Sequence, residues 1–117
     1  MLLYSSAQVW GQTTWTGAIN SDWSDAANWS SGVPDATDDV VIPDMANDPV
    51  VNTTAVAQSV HIQAGALLTV STTNSLTLNN ATSFSILNDG TIQNNGTISI
   101  GSVSSAGSFG IRNFGQF

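Results

Sequence analysis

The sequence predicts an all-β fold, a parallel β-helix or β-solenoid whose first coil is closed by a Trp-rich N-terminal cap. Three observations carry this. Charged residues are only 8% of the 117, and the chain has no Glu and no Lys, so it lacks the side chains that normally clothe long helices. Ser, Thr and Asn number 16, 13 and 11. Aliphatic residues come in pairs two positions apart, which places both on one face of a strand, and turn formers separate the pairs.

The same composition bounds the function. A net charge of -7 with a single Arg cannot neutralise a phosphate backbone, so nucleic acid is excluded as a partner. Hydrophobic residues make up 41%, too many for a disordered chain, yet no run is long enough to span a bilayer. The absence of cysteine removes disulfides, thiolate metal sites and thiol nucleophiles.

Residues 1–11 read as the remnant of a secretion signal. Met1-Leu2-Leu3 is apolar, small polar residues follow, and Val9 and Gly11 stand where the -3 and -1 residues of a cleavage site would lie. This reading places the protein outside the cell or on its outer surface. Residues 12–49 form the predicted cap and first strand; residues 13–49 hold three of the four Trp and seven of the eight Asp. Residues 50–117 are predicted to form solenoid coils of about sixteen residues. In that alignment Val60 and Ile62 fall over Leu76 and Leu78 and then over Ile92, and Leu68 and Val70 fall over Phe84 and Ile86; Ile98 and Ile100 repeat the pair with a slip of two. Corners are expected at Ala64-Gly65, Asn79-Asn80, Asn88-Asp89-Gly90 and Asn94-Asn95-Gly96, because Asn, Asp and Gly tolerate positive φ. A β-sandwich or hairpin meander is the alternative, since Asn95-Gly96 is also a hairpin signal. The end of the chain, with Phe109, Ile111, Phe114 and Phe117, reads as a truncated last coil, whose open edge would favour end-to-end self-association.

The run Thr14-Trp15-Thr16-Gly17, Asp22-Trp23-Ser24-Asp25, Ala27-Asn28-Trp29-Ser30, Gly32-Val33-Pro34 and Asp38-Asp39-Val40-Val41-Ile42-Pro43 resembles the N-terminal module of large secreted, repetitive, adhesin-like β-helical surface proteins of Gram-negative bacteria. The resemblance extends over residues 13–100 through coils such as Ala64-Gly65-Ala66-Leu67-Leu68-Thr69-Val70. It implies display or adhesion and supplies no catalytic residue. The sorting domain that such proteins carry at their C-terminus has no counterpart within these 117 residues.

Candidate site residues are few. Trp15, Trp23 and Trp29 could stack on sugar faces, but a solenoid end must be covered and large aromatic rings suit that task better. Asp35, Asp38, Asp39, Asp44 and Asp48 crowd into fourteen residues and are candidate calcium ligands, although the spacing fits neither an EF-hand loop nor the calcium-binding nonapeptide. His61, flanked by Val60 and Ile62, should point outward, and a lone His makes no metal site. Arg112 is expected to balance a carboxylate or face water. No nucleophile elbow, phosphate loop or dinucleotide fingerprint occurs. The sequence is therefore read as a non-enzymatic structural or adhesion segment, the N-terminal part of a longer β-helical surface protein that contacts a glycan or a host or cell-surface polymer. The alternatives are a calcium-dependent carbohydrate-binding module and the leading part of a secreted polysaccharide-degrading enzyme.

Overall fold

A strand of four residues that alternates apolar and polar side chains needs a neighbour on each edge for its backbone and a covered inner face. In the computed structural model, which describes residues 11–79, 84–101 and 109–117, eleven strands of two to five residues meet these needs by winding into a three-sided parallel β-solenoid, in which the middle strands of each sheet are paired on both edges. The strands are β1 (Gly11–Thr14), β2 (Asp38–Ile42), β3 (Val50–Val51), β4 (Thr54–Ala57), β5 (Ser59–Ile62), β6 (Leu67–Val70), β7 (Ser75–Leu78), β8 (Phe84–Asn88), β9 (Thr91–Asn94), β10 (Thr97–Ile100) and β11 (Phe109–Asn113). The first face is the sheet β1-β2-β5-β8-β11, the second β3-β6-β9 and the third β4-β7-β10. Each coil visits the three faces in turn, so β5, β6 and β7 form one complete circuit. Every pairing between strands is parallel, which rules out the sandwich and hairpin alternatives. Asn95-Gly96 turns a corner between β9 on the second face and β10 on the third.

The core is built from side chains stacked in register. On the first face Val40 lies beside Val60 and Val60 beside Ile86. On the second Val51 lies beside Val70, and Leu68 beside Ile92. On the third Ala55 and Ala57 lie beside Leu76 and Leu78, which lie beside Ile98 and Ile100. All of these but Ile98, Ile100 and Ala55 are no more than 2% exposed; Ala55 is 4% exposed, and the two Ile residues pack against the cluster half-buried. No charged side chain enters this interior.

The register corrects the expected coil length. Val40 to Val60 is twenty residues and Val60 to Ile86 twenty-six; on the second face the steps are nineteen and twenty-four, and on the third twenty-one and twenty-two. The sixteen-residue alignment spans two strands rather than a full circuit of three. It superposed β5 on β7 and β6 on β8, which belong to different faces. The slip at Ile98 disappears for the same reason, because Ile98 and Ile100 sit directly beside Leu76 and Leu78.

Corners stack as tightly as strands. A Cβ added to Gly90 would come within 2.5 Å of Ala66 O and 2.6 Å of Gln63 O in the coil before, and one on Gly96 would run into the carbonyls of Ser71 and Asn74. Any larger residue must push two coils apart. Two residues ahead of each stands an Asn whose Oδ1 accepts the glycine N–H, Asn88 to Gly90 at 3.1 Å and Asn94 to Gly96 at 3.1 Å. Asn88 is fully buried and also donates through Nδ2 to Asn113 Oδ1 at 2.7 Å and to Gln116 O at 2.6 Å, which ties the last two coils together. The side-chain amide supplies partners that a buried corner would otherwise lack.

The register can be checked by crosslinking, since the chain has no native cysteine. Val56 and Thr77 are adjacent in β4 and β7, so a Val56→Cys/Thr77→Cys variant should oxidise to an intramolecular disulfide, the spacing of adjacent strands lying within disulfide reach. A His61→Cys/Thr77→Cys variant, sixteen residues apart but on different faces, should stay reduced. Mass shift after thiol alkylation reads both.

Candidate functional site

The segment between β1 and β2 folds over the first coil. Loop residues lie antiparallel along the outer edge of β1, with Trp15 bridged to Trp29, Ser30 N donating to Thr14 O at 2.9 Å and Thr14 N to Ser30 Oγ at 2.9 Å. Asp22 pairs with Val50, which covers the edge of β3. Trp15 and Trp23 are 0% exposed and Trp29 5%. Trp29 meets both others edge to face, with centroids 5.0 Å from Trp15 and 4.7 Å from Trp23, a favoured arrangement for aromatic quadrupoles. Trp15 Nε1 donates to Asn47 O at 2.7 Å, and Trp29 Nε1 to Trp23 O at 2.7 Å. The rings belong to the hydrophobic core. Buried this completely, they cover the solenoid end, the reading the sequence favoured, and present no face on which a sugar could stack.

Asn28 holds the loop together, a role that residue spacing does not signal. It sits in a single turn of 3₁₀ helix, Ala26–Asn28, opened by Asp25, whose side chain accepts from Ala27 N. Asn28 is 0% exposed. Its Oδ1 accepts from Ile19 N at 2.9 Å and Asn20 N at 3.1 Å, and its Nδ2 donates to Asn20 Oδ1 at 2.8 Å and Asp22 O at 3.0 Å. One amide therefore satisfies a buried bend from both sides.

The five candidate calcium ligands do not come together. Asp35 Oδ1 accepts from Thr37 N at 2.8 Å and Thr37 Oγ1 at 2.7 Å. Asp38 Oδ2 accepts from Asp35 N at 2.9 Å. Asp39 Oδ1 accepts from Ser59 Oγ at 2.5 Å and Gln58 Nε2 at 3.0 Å. Asp48 Oδ1 accepts from Leu67 N at 3.3 Å, and the Asp44 carboxylate lies against Gly65. Each serves its own turn or strand junction, as Asp side chains do in loops. Among the described residues no three His, Asp, Glu or Cys groups gather as metal ligands would.

On the outer first face His61 Nε2 lies 2.9 Å from Asp89 Oδ2, with the two side chains 36% and 37% exposed. His61 thus points outward as expected, and the coil after it brings it an Asp twenty-eight residues away in sequence. Arg112 is exposed, facing water as expected, and its guanidinium also lies 5.4 Å from the Phe84 ring centroid and 5.0 Å from that of Phe114, within cation–π range. The outer third face is free of charge. Thr54, Ser75 and Thr97 stand in one row and Val56, Thr77 and Ser99 in the next, neighbours in a row being about 4.8 Å apart.

At the end of the solenoid opposite the cap, Ile111, Phe114 and Phe117 are 46%, 66% and 55% exposed. A groove of about 340 Å³ runs beside β9 between Ile92, Asn94, Gln116 and Phe117. Residues 1–10, which hold nearly all of the expected signal remnant, lie outside the described residues; Gly11 and Gln12 already belong to β1, beside Asp38 and Asp39. The side chain of Phe109 and the corner residue Asn80 are likewise outside the description. Among the described residues no helix is long and apolar enough to cross a membrane.

Fold and cap together define a three-sided parallel β-solenoid with one aromatic-sealed end. The chain belongs to a family described as a domain of unknown function, DUF8693, which matches residues 14–114 and so takes in both the Trp loop and the coils. No curated protein and no solved structure matches the chain.

Two predictions test the cap. Asn28→Ala leaves the amides of Ile19 and Asn20 without their acceptor, so it should cost about 2 kcal/mol or more in denaturant unfolding. The second concerns acid. Hydrogen bonds from the Ser24 side chain and backbone hold the Asp22 carboxyl below its ordinary 3.8, and those of Thr37 do the same for Asp35. A depressed folded value means the contribution is present above the unfolded value and is lost as pH falls through the folded one. The melting temperature should therefore fall between about pH 5 and about pH 2, and an Asp22→Asn/Asp35→Asn variant, which keeps the acceptors but cannot titrate, should fall less steeply.

Proposed function

We propose that this protein is a non-enzymatic structural and adhesive segment, secreted or displayed on the outer cell surface, and that it forms the N-terminal part of a longer β-helical protein. The observation that carries the reading is the outer third face, where Thr54, Ser75, Thr97, Thr77 and Ser99 stand in straight rows on parallel strands with no charged side chain among them. Hydroxyls held at strand spacing on a stiff sheet lose little conformational entropy when they meet a polar surface, because backbone and neighbours already fix them. Such a face suits a neutral glycan or polymer whose hydroxyls repeat along its length. The Trp loop supports the reading through its likeness to the opening modules of adhesin-like surface proteins. The distribution of ionisable groups fits as well. The described carboxylates stand in turns and junctions, and the pair of His61 and Asp89 lies on an open strand face, away from any enclosed cleft of the kind catalysis uses.

The experiment is retention of the chain on insoluble cellulose and chitin, with Thr77→Glu/Ser99→Glu as the comparison. Both residues point away from the core, so the variant should keep its melting temperature within a few degrees while its retention falls about tenfold or more. Equal retention of both proteins, or none by the native chain, contradicts the reading.

A further inference from the structure

We infer that Asn95 is a self-modification site, at which the chain converts its own Asn-Gly corner to an isoaspartyl linkage and so loosens β10. Of the eleven Asn residues, Asn95 alone precedes a glycine. That order matters because the nucleophile is the backbone nitrogen of the next residue, held beside the side chain it attacks, and a Cβ on that residue crowds the approach. Gly96 N gives up its proton and attacks Asn95 Cγ, closing a succinimide ring. The Cγ–Nδ2 bond breaks, and Nδ2 leaves with a proton as ammonia. Water then opens the ring. Attack at the main-chain carbonyl leaves the chain running through Cβ and Cγ as an isoaspartyl residue, and attack at Cγ leaves an ordinary Asp. Water is the only co-reactant.

The structure sets this corner apart from the others. Asn95 is exposed, and among the described residues no hydrogen bond holds its carboxamide. The exposure belongs to the corner position itself. Thr54, Ser75 and Thr97 stand in one row, which puts Thr73 at the place of Asn95 one coil earlier, and Thr73 is exposed with a coil on each side of it. The corner of the same form, Asn88-Asp89-Gly90, is shielded: Asp89 Oδ2 lies 2.9 Å from His61 Nε2, and Gly90 is buried. At Asn95 the restraint is Asn94, whose Oδ1 accepts from Gly96 N at 3.1 Å. While that bond holds, the amide keeps its proton, so Asn94 is a positioning residue that sets the pace. The consequence follows from the stacking. Asn95 N donates to Val70 O at 2.8 Å and Thr97 N to Asn74 O at 3.0 Å, which pins the corner to the coil before on both sides of Gly96, where even a Cβ has no room. An isoaspartyl residue adds a methylene to the main chain between those pins. One pin must release, and β10 with Thr97 and Ser99 shifts against β7. None of this depends on what the third face binds.

The test is incubation of the 117-residue chain in warm, mildly alkaline buffer, with conversion at each Asn and Asp followed by peptide mass mapping and an enzymatic isoaspartate assay. The expected result is conversion concentrated at Asn95, with Asp89 unchanged. Asn94→Ala removes the acceptor and should speed conversion about fivefold or more. Asn94→Asp keeps an acceptor and should stay near the native rate, and Asn95→Gln, which must close a larger ring, should stop it. Should Asn94→Ala fail to fold, the native chain in urea supplies the comparison, since the restraint is lost there and conversion must outpace that of the folded chain. Purified converted chain should exchange its β10 amides faster than unconverted chain. Conversion at Asn95 no faster than at the other Asn residues overturns the proposal. So does a rate that loss of the Asn94 bond leaves unchanged, or a converted chain whose β10 exchanges as before.

Discussion

A strand of four residues cannot bury its apolar side chains alone, and everything in this molecule follows from supplying each one with a neighbour above and below. Parallel stacking in register does this. Val40, Val60 and Ile86 form one interior ladder, and Leu76 and Leu78 sit between Ala55 and Ala57 on one side and Ile98 and Ile100 on the other. Each strand contributes only one to three inward residues, so no coil holds a core of its own, and stability accumulates between neighbours along the axis. The corners must close to the same spacing as the strands. That requirement explains why glycines stand at 90 and 96 and why Asn88 and Asn94 bind the glycine amides.

Stacking also creates the two ends as problems, and the chain treats them differently. At the first coil, three Trp rings and an amide-centred loop replace the missing neighbour. Asn28 there spends all its hydrogen-bonding capacity on the bend that carries the rings. At the far end, β11 and Gln116 begin the next circuit and leave Ile111, Phe114 and Phe117 in solvent. The outer faces between the ends can vary freely, since side chains there do not decide whether the coils stack. Rows of hydroxyls on the third face and the pair of His61 and Asp89 on the first occupy these outer positions.

Much of the fold was legible because inward and outward residues alternate on strands and because Asn, Asp and Gly mark corners. The apolar pairs at 60/62, 68/70, 76/78 and 98/100 are all strand interiors in the structure. The coil length was misread because consecutive strands are similar in length and composition; a shift of two strands aligns apolar with apolar as well as a shift of three does. Sequence alone carries no sign of which face a strand occupies. The Trp residues were legible as a cover for a solenoid end, since large rings near the start of a repetitive chain have to bury their area. The Asp run could be read from sequence either as turn chemistry or as a calcium cluster, but the partner that each carboxylate serves could not. Five carboxylates within fourteen residues look like a cluster on paper, and only the fold shows that Asp39 reaches Ser59 while Asp48 reaches Leu67. The partner of His61 was hidden for the same reason, because Asp89 comes beside it only after a full turn of the solenoid.

The most direct test of the account is the network of backbone proton contacts between strands in solution. Stacking in three-strand coils predicts parallel cross-strand contacts linking Val40 to Val60, Val60 to Ile86, and Leu76 to Ile98. Antiparallel contacts across Asn95-Gly96, or ladders that pair Val60 with Leu76 and Leu76 with Ile92, would contradict it.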